Sequence, residues 1–335
     1  MELERHVLRG EILHPDREFA ATPTTVEVRV DPLTGHAARL LSGKGLMPPN
    51  EYDLAALAEA TRTTCPFCSE RLEARTPRLS PAIWPEPEGR IRVGEAVLFP
   101  NLTAYAKWSV VSVFSPHRHL LPLGEMTSRL VADNLAAQVA FHRAVVERDP
   151  DAPWASVNAN HMLPSGSSLF HPHLQGSADT VPTTMQRMLA GVPGERFRDY
   201  VETERRAGER YLGSTGGVTW LASFAPIGPN EVRAVAFGSP TPAALSGDLV
   251  EELGAGIATV LNLYAELGFE SYNLAAYGGP PGRGDHPLNL RIVCRSNLRE
   301  PAYRSDAAWM ERLHWDAGID LTPEELAERA HGRFG

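Results

Sequence analysis

Two histidines two positions apart, His171-Pro172-His173, are followed by Gln175 and preceded by the run Ser165-Gly166-Ser167-Ser168. In an extended segment side chains alternate between faces, so His171, His173 and Gln175 fall on one side. Pro172 fixes its own φ and biases His171 toward the β region, which keeps the two imidazoles apart. The Ser-Gly-Ser-Ser run predicts a turn offering backbone N–H groups and hydroxyls, the donors that a phosphate needs. A neutral imidazole is nucleophilic near neutral pH, and its phosphorylated form is labile. A histidine beside such a cradle therefore suits two-step transfer of a phosphoryl or nucleotidyl group. The competing reading is a pair of histidines on a half-exposed strand; the turn and the glutamine tip the balance toward chemistry.

Cys65-Pro66-Phe67-Cys68 has the spacing with which two thiolates grip one Zn²⁺, and a tetrahedral site needs two further ligands. His117, His119 and His171 are the candidates. A strand ending at Phe114 carries His119 toward the edge where the His-Pro-His segment lies, so Cys65, Cys68, His119 and His171 form the expected set, with His117 as the alternative to His119. Four protein ligands leave no open position, which marks such a zinc as structural. For the Cys-x-x-Cys pair alone, a redox couple is the competing reading. Cys294 lies in an apolar run and reads as a small core residue.

With 335 residues, 43% of them hydrophobic and 22% charged, the chain suits a globular protein large enough for two core-forming units. A net charge of −9 argues against a nucleic-acid-binding surface, which gains affinity by setting Lys and Arg against backbone phosphates. The sequence contains no membrane-length apolar run, and Met1-Glu-Leu-Glu-Arg-His6 lacks the regions of a signal peptide. A cytoplasmic protein with no membrane partner is expected.

The elements that must position these residues follow in order. Residues up to about Pro23 read as an arm or edge segment, and Val26–Val30 as a strand entering the turn Asp31-Pro-Leu-Thr-Gly35. Ser42-Gly-Lys44-Gly45 reads as a basic loop. A helix is expected from Asp53 to Thr61, strands near 91–99 and 108–114, a helix over 126–147 and a strand over 155–158. Strands near 218–224 and 232–237, a helix over 245–267, the segment 272–275 and a strand over 288–294 then repeat that order. Local echoes such as His171-Pro172 and His286-Pro287 support an internal duplication. The expected fold is α+β, with units 1–181 and 182–335 sharing one antiparallel sheet. Glu195–Tyr211, between the repeats, reads as a solvated helix face.

Taken together, Asp31-Pro-Leu-Thr-Gly35, Cys65-Pro-Phe-Cys68, Phe99-Pro-Asn101, Phe114-Ser-Pro with His119-Leu-Leu-Pro-Leu-Gly-Glu-Met-Thr127, Asn160 with Gly166-Ser-Ser168, and His171-Pro-His-Leu-Gln175 resemble galactose-1-phosphate uridylyltransferases, a branch of the histidine-triad superfamily. The ending Asp320–Arg329 is similar too. The resemblance implies two histidine-triad-like repeats in a half-barrel with flanking helices. It implies that His173 becomes nucleotidylated, that Gln175 holds the phosphoryl oxygens, that Ser168 bonds phosphate, and that Asn101 sits near the base. Asn160, Gly166 and Ser167 would join them around substrate, and Cys65, Cys68, His119 and His171 would hold zinc. The implied reaction moves a nucleoside monophosphate between a nucleotide sugar and a sugar 1-phosphate, as in galactose metabolism. Phosphate or water as acceptor gives a phosphorylase or a hydrolase instead, and a non-catalytic nucleotide-binding protein is the rival of another class. A homodimer is an arrangement open to it.

Departures from the family pattern carry their own expectations. Asn289 and Arg291 stand where a second, iron-type site has a His-x-His pair, and Tyr277 stands for a further His, so no second metal is expected. The arginine-rich stretch after the Asp-Pro-Leu-Thr-Gly turn is missing, leaving Lys44 as the basic residue there. Arg291, with Arg283 in the Gly/Pro loop, becomes a candidate for a phosphate or carboxylate. The competing reading is a surface arginine in an ordinary ion pair.

Overall fold

The alternation at Val26–Val30 extends backward, in the computed structural model, into a long hairpin of β1 (Arg5–His14) and β2 (Ala20–Val30). The structure describes residues 1–41, 53–296 and 310–334; Lys44 and its Ser42-Gly-Lys-Gly45 loop lie outside them. After β3 (Ala37–Leu40) comes α1 (Leu54–Arg62), whose first N–H groups are capped by the Asp53 carboxylate. Helix α2 (Ser69–Arg75) begins directly after Cys68. The single strand expected over 91–99 is instead a tight hairpin of β4 (Ile91–Val93) and β5 (Ala96–Pro100), because Gly94 takes a φ of +52° and reverses the chain. Next come β6 (Trp108–Val113), α3 (Ser128–Arg148), β7 (Trp154–His161) and β8 (His173–Asp179). The second half holds α4 (Thr184–Ala190), α5 (Gly194–Ala207), β9 (Tyr211–Thr215), β10 (Val218–Ala222), β11 (Val232–Ala236), α6 (Gly247–Glu266), β12 (Ser271–Tyr277), β13 (Leu288–Arg295), β14 (Ala317–Ile319) and α7 (Pro323–Arg329).

Ten strands form one antiparallel sheet in the order β4-β5-β6-β8-β7-β12-β13-β11-β10-β9. Read from either edge to the centre, the two halves follow the same chain order, and they meet where β7 pairs with β12. A second sheet, β1-β2-β3-β14, ties residues 5–40 to the C-terminal part through a parallel β3–β14 pair.

Period-two alternation gives the large sheet two different faces. Val157, Ala159, Leu174, Leu274, Leu290, Ile292 and Trp220 point to one side and bury against α3 and α6, the main core. His173, Gln175, Asn158, Asn160, Asn273, Tyr277, Asn289 and Arg291 alternate with them and take the other side. Over the second half that side is closed by α5 and the Asp31–Gly35 turn, through Leu33, Phe197, Tyr200, Leu221 and Val235. The expectation of a merely solvated helix over 195–211 is corrected here. Helix α5 ends at Ala207, buries Phe197, Tyr200 and Val201 along one side, and is followed by β9. Among the described residues, no helix is long and apolar enough to cross a membrane.

Two buried imidazoles set an acid limit on this fold. Burial lowers His142 of α3 to about 4. Burial, with His173 adding to it, lowers His161 of β7 to about 3. Between an unfolded value near 6.5 and these folded values the unfolded chain binds more protons, so stability rises with pH across that window and is lost as pH falls through it. Each group contributes a slope of up to about 1.4 kcal/mol per pH unit. Urea unfolding of His142→Leu between pH 7 and 4.5 is expected to show a slope shallower by up to that amount; an unchanged slope would contradict the assignment.

Candidate metal centre and active site

Cys65 lies between α1 and α2, and Cys68 stands at the N-cap of α2. The Ser69 N–H donates to the Pro116 carbonyl at 2.9 Å, which pins this turn to the loop carrying His119. Cys65 Sγ is 3.6 Å from His171 Nδ1, while Cys68 Sγ is 3.4 Å from His119 Nδ1 and 3.7 Å from His171 Nδ1. Tetrahedral bonds of about 2.0–2.3 Å to one ion would set S and N ligands roughly 3.5 Å apart, so the spacing matches. Cys65, Cys68, His119 and His171 are all buried, with ligand atoms within 4.8 Å of one another.

Hydrogen bonds around the cluster fix the rings for the same purpose. His171 Nε2 lies 2.9 Å from the Ser115 carbonyl, which can only accept, so Nε2 carries the proton and Nδ1 keeps its lone pair. The Thr61 hydroxyl donates to the Ala58 carbonyl and therefore accepts from His119 Nε2 at 3.0 Å, freeing His119 Nδ1 in the same way. Such outer bonds orient metal-ligating histidines. Burial lowers His171 to about 4, which keeps it neutral. Burial, and then the Cys65 sulfur, push the Cys68 thiol up, a penalty that a divalent cation between the sulfurs reverses. Of the two histidines left open by sequence, His119 joins the cluster and His117 is exposed.

Strand β8 starts only at His173, and His171 occupies the bend before it. The His173 ring donates from Nδ1 to the His171 carbonyl at 2.9 Å, leaving Nε2 as the nitrogen with a lone pair. Burial lowers the His173 pKa, so the ring is neutral near pH 7. Phe67, from within the Cys-x-x-Cys turn, meets the His173 ring edge-on at a centroid distance of 5.5 Å. The residue that completes the metal cluster thus also holds the second imidazole through its backbone.

Gln175 is half-buried on the same face, opposite Val111 and Asn158. Pairing of β7 with β8 stops at Asn158–Gln175, so the two strands part beside His173. Asn160 continues β7 past that point, and its Oδ1 accepts from Asn273 Nδ2 at 2.7 Å. Asn273 also donates to the Ser165 carbonyl, and its Oδ1 accepts from Arg295 Nη1 at 3.1 Å. Arg295, Asn273 and Asn160 therefore form a polar chain across the centre of the sheet. Asn158, Asn273, Arg295, Thr61 and Ser115 were not anticipated from sequence. Alternation through Trp154–His161 could have flagged Asn158; the others depend on partners distant in the chain.

The turn before the histidines departs from expectation in its detail. Ser165 and Ser167 hydroxyls donate to the Met162 and Leu169 carbonyls, while the N–H groups of Gly166 and Ser167 donate to the Leu163 and Met162 carbonyls. Gly166, at a φ of +91°, and Ser167 thus spend these donors on the turn itself rather than on a ligand. Ser168 is exposed, and its hydroxyl and N–H bond no other described residue. Asn101 follows β5 and caps its own turn, accepting from the Thr103 N–H at 3.1 Å.

Arg291 does not sit where a ligand could use it. It is buried, its Nη1 donates to Glu231 at 3.1 Å and its Nη2 to Asp31 at 3.4 Å. Arg233, directly opposite on β11, donates to the same Asp31 carboxylate. Two cationic side chains on neighbouring strands need two carboxylates, and one comes from the Asp31–Gly35 turn. Neither the phosphate site nor the surface ion pair describes Arg291, whereas Arg283 is an exposed arginine paired with Asp285. Burial alone would raise the Asp31 carboxyl, but Arg233 and Arg291 outweigh it and hold it well below the usual range. Asp31→Asn leaves two buried guanidinium groups short of charge, and is expected to cost about 3–5 kcal/mol in chemical denaturation. A loss below about 1 kcal/mol would refute this role.

No family model matches the chain. An uncharacterized protein of Archaeoglobus fulgidus is 31% identical over 322 residues, covering 90% of this chain and 91% of that protein. Among solved structures, an ADP-glucose phosphorylase from Arabidopsis thaliana with bound ADP-glucose superposes with a TM-score of 0.67 at 16% identity, covering 92% of this chain and 99% of that one. A galT-like protein of the same plant gives 0.67 at 17% identity, covering 91% and 98%. A uridylyltransferase mutant gives 0.59 at 18%, covering 90% and 96%. The chain belongs to one family with the archaeal protein, and it shares its fold with the ADP-glucose phosphorylase, the galT-like protein and the uridylyltransferase.

Proposed function

We propose that this protein is a nucleotidyltransferase that moves a nucleoside monophosphate between a nucleotide sugar and a sugar 1-phosphate through a covalent nucleotidyl-His173. The observation that carries the reading is the His173 ring, neutral and fixed by its Nδ1–H bond to the His171 carbonyl, with Nε2 left as nucleophile. In the first half-reaction Nε2 attacks the α-phosphorus and the bond to the bridging oxygen breaks. The sugar 1-phosphate leaves with the electron pair. In the second, an acceptor phosphate oxygen attacks the same phosphorus, the P–N bond breaks, and the imidazole is restored. Gln175 and Ser168 hold the phosphoryl oxygens, Asn160 and Asn101 face the nucleoside, and Gly166 shapes the turn that presents Ser168. The Cys65, Cys68, His119 and His171 cluster holds zinc, which supplies structural rigidity. The two halves of the sheet are read as histidine-triad-like repeats of a half-barrel, divided near residue 181.

The test uses nucleotide sugars labelled at the α-phosphorus, varied in base and sugar. At least one is expected to leave an acid-labile label on His173 that a sugar 1-phosphate discharges. Discharge by inorganic phosphate or by water alone reassigns the acceptor and makes the enzyme a phosphorylase or a hydrolase. No label with any donor would favour a pocket that binds nucleotide without using its histidine.

A further inference from the structure

The β1–β2 hairpin projects from the fold with almost no cover. Val7, Leu8, Ile12, Leu13 and Phe19 are each between 47% and 66% exposed, and every residue from Arg5 to Leu13 is exposed. Strand β1 is also the edge of its sheet among the described residues. A long apolar edge strand invites pairing with another chain, and a two-stranded hairpin alone is marginal in water.

We infer that β1 pairs antiparallel with β1 of a second copy of this chain, about a two-fold axis through Gly10. The backbone settles which residues can face outward. The Val30 N–H donates to the Glu4 carbonyl, so in the β1–β2 ladder His6, Leu8, Gly10, Ile12 and His14 turn their peptide groups inward. Arg5, Val7, Arg9, Glu11 and Leu13 turn theirs to the free edge. A symmetric antiparallel pair must match outward residues with outward residues, which restricts the centred registers. One centred on Arg9 sets Arg9 against Arg9, and one centred on Glu11 sets Glu11 against Glu11; both oppose like charges, which destabilises a strand pair. The register centred on Gly10 sets Arg9 against Glu11 twice, Leu8 against Ile12, and Val7 against Leu13. Charge meets opposite charge, apolar meets apolar, and the residue without a side chain lies on the axis. Such self-complementarity is what an isologous contact requires.

Sedimentation of the full chain tests this. Wild type is expected at twice the 36.6 kDa chain mass. Arg9→Glu and Glu11→Arg are each expected to fall to the chain mass at the same concentration, with folding followed by circular dichroism. The double exchange restores opposite charges in this register alone and is expected to recover the doubled mass. Gly10→Cys provides a second measurement independent of charge. In this register Gly10 faces itself in a non-hydrogen-bonded pair, where Cα atoms about 4.5 Å apart suit a disulfide. A Cβ there meets only the Thr24 hydroxyl within 4 Å, at 2.9 Å, and that side chain can rotate. The native cysteines are all buried. Mild oxidation is expected to link Gly10→Cys chains into dimers and to leave Arg5→Cys chains unlinked. A wild type at the chain mass, singles that stay paired, a double exchange that fails to recover, or equal linking of both cysteine variants would overturn the inference.

Discussion

His173→Ala is expected to lower nucleotidyl transfer by roughly 10⁴-fold or more, the scale seen when a covalent nucleophile is removed, while metal content and Tm stay near wild type. The separation follows from geometry. His173 is not among the cluster's four ligands; its ring bonds the His171 carbonyl, which remains when the ring is cut away, and otherwise meets Phe67 edge-on. Ping-pong kinetics in wild type and loss of the acid-labile adduct in the variant are the accompanying signatures. His173→Gly leaves room for a free imidazole ring, so a nucleotidyl-imidazole is expected to serve it as a surrogate donor. Near-normal transfer by His173→Ala would remove the histidine from the mechanism.

Cys68→Ser is expected to produce the largest loss of stability in the molecule. Cys68 lies beside both His119 and His171, so its loss dismantles the metal site rather than weakening one contact. An ion held there would tie together the α1–α2 segment, the loop at Ser115 and the bend before β8, adding to the Ser69–Pro116, Phe114–Pro172 and His171–Ser115 hydrogen bonds that already join them. A cost of several kcal/mol, and a fall in Tm on the order of 10 °C, is expected from such a loss. Metal analysis is expected to give about one zinc per chain in wild type and a strongly reduced content in the variant. His171→Ala should lose metal, stability and transfer together, whereas His173→Ala loses transfer alone. A Cys68→Ser protein that keeps its metal and its Tm would show that the cluster is not a metal centre.

How much of this was legible in sequence differs by kind of information. Residue type and spacing were enough to nominate Cys65, Cys68 and His171, but they left His117 and His119 open until the fold placed His119 in the cluster. Periodicity placed α3, α6, β6 and β13 nearly at their limits and found half of β7, which runs on to His161. It failed at 91–99, where one glycine reverses a run that alternates like a single strand, and along α5, whose apolar side is thin against its many charges. Hydrogen-bond direction was the hardest to read. Nothing in Ser165-Gly-Ser-Ser168 says that Ser167 turns inward and Ser168 outward. Arg291 was legible as a departure from a metal ligand, but its burial depends on Asp31 and Glu231, brought to it by tertiary folding.

The β3–β14 pair and the Asp31 contacts have a kinetic consequence. Residues 37–40 pair with β2 close by in the chain but find their second strand partner only at 317–319, while Arg29 finds Glu324, and Asp31 finds Arg233 and Arg291. During synthesis, which runs from the N-terminus, the earliest segment must remain outside the ribosome with its carboxylate solvated and the outer edge of β3 unpaired until nearly the whole chain has emerged. Closing contacts of such sequence separation is slow. The first half of the large sheet can assemble in the meantime, since β4 to β8 pair among themselves. The order of events is then a sheet begun from the middle of the chain and a clasp shut last, in which the opening segment is locked by the closing one. Agents that bind exposed strands would find the outer edge of β3 open in that waiting interval and covered by β14 in the finished protein.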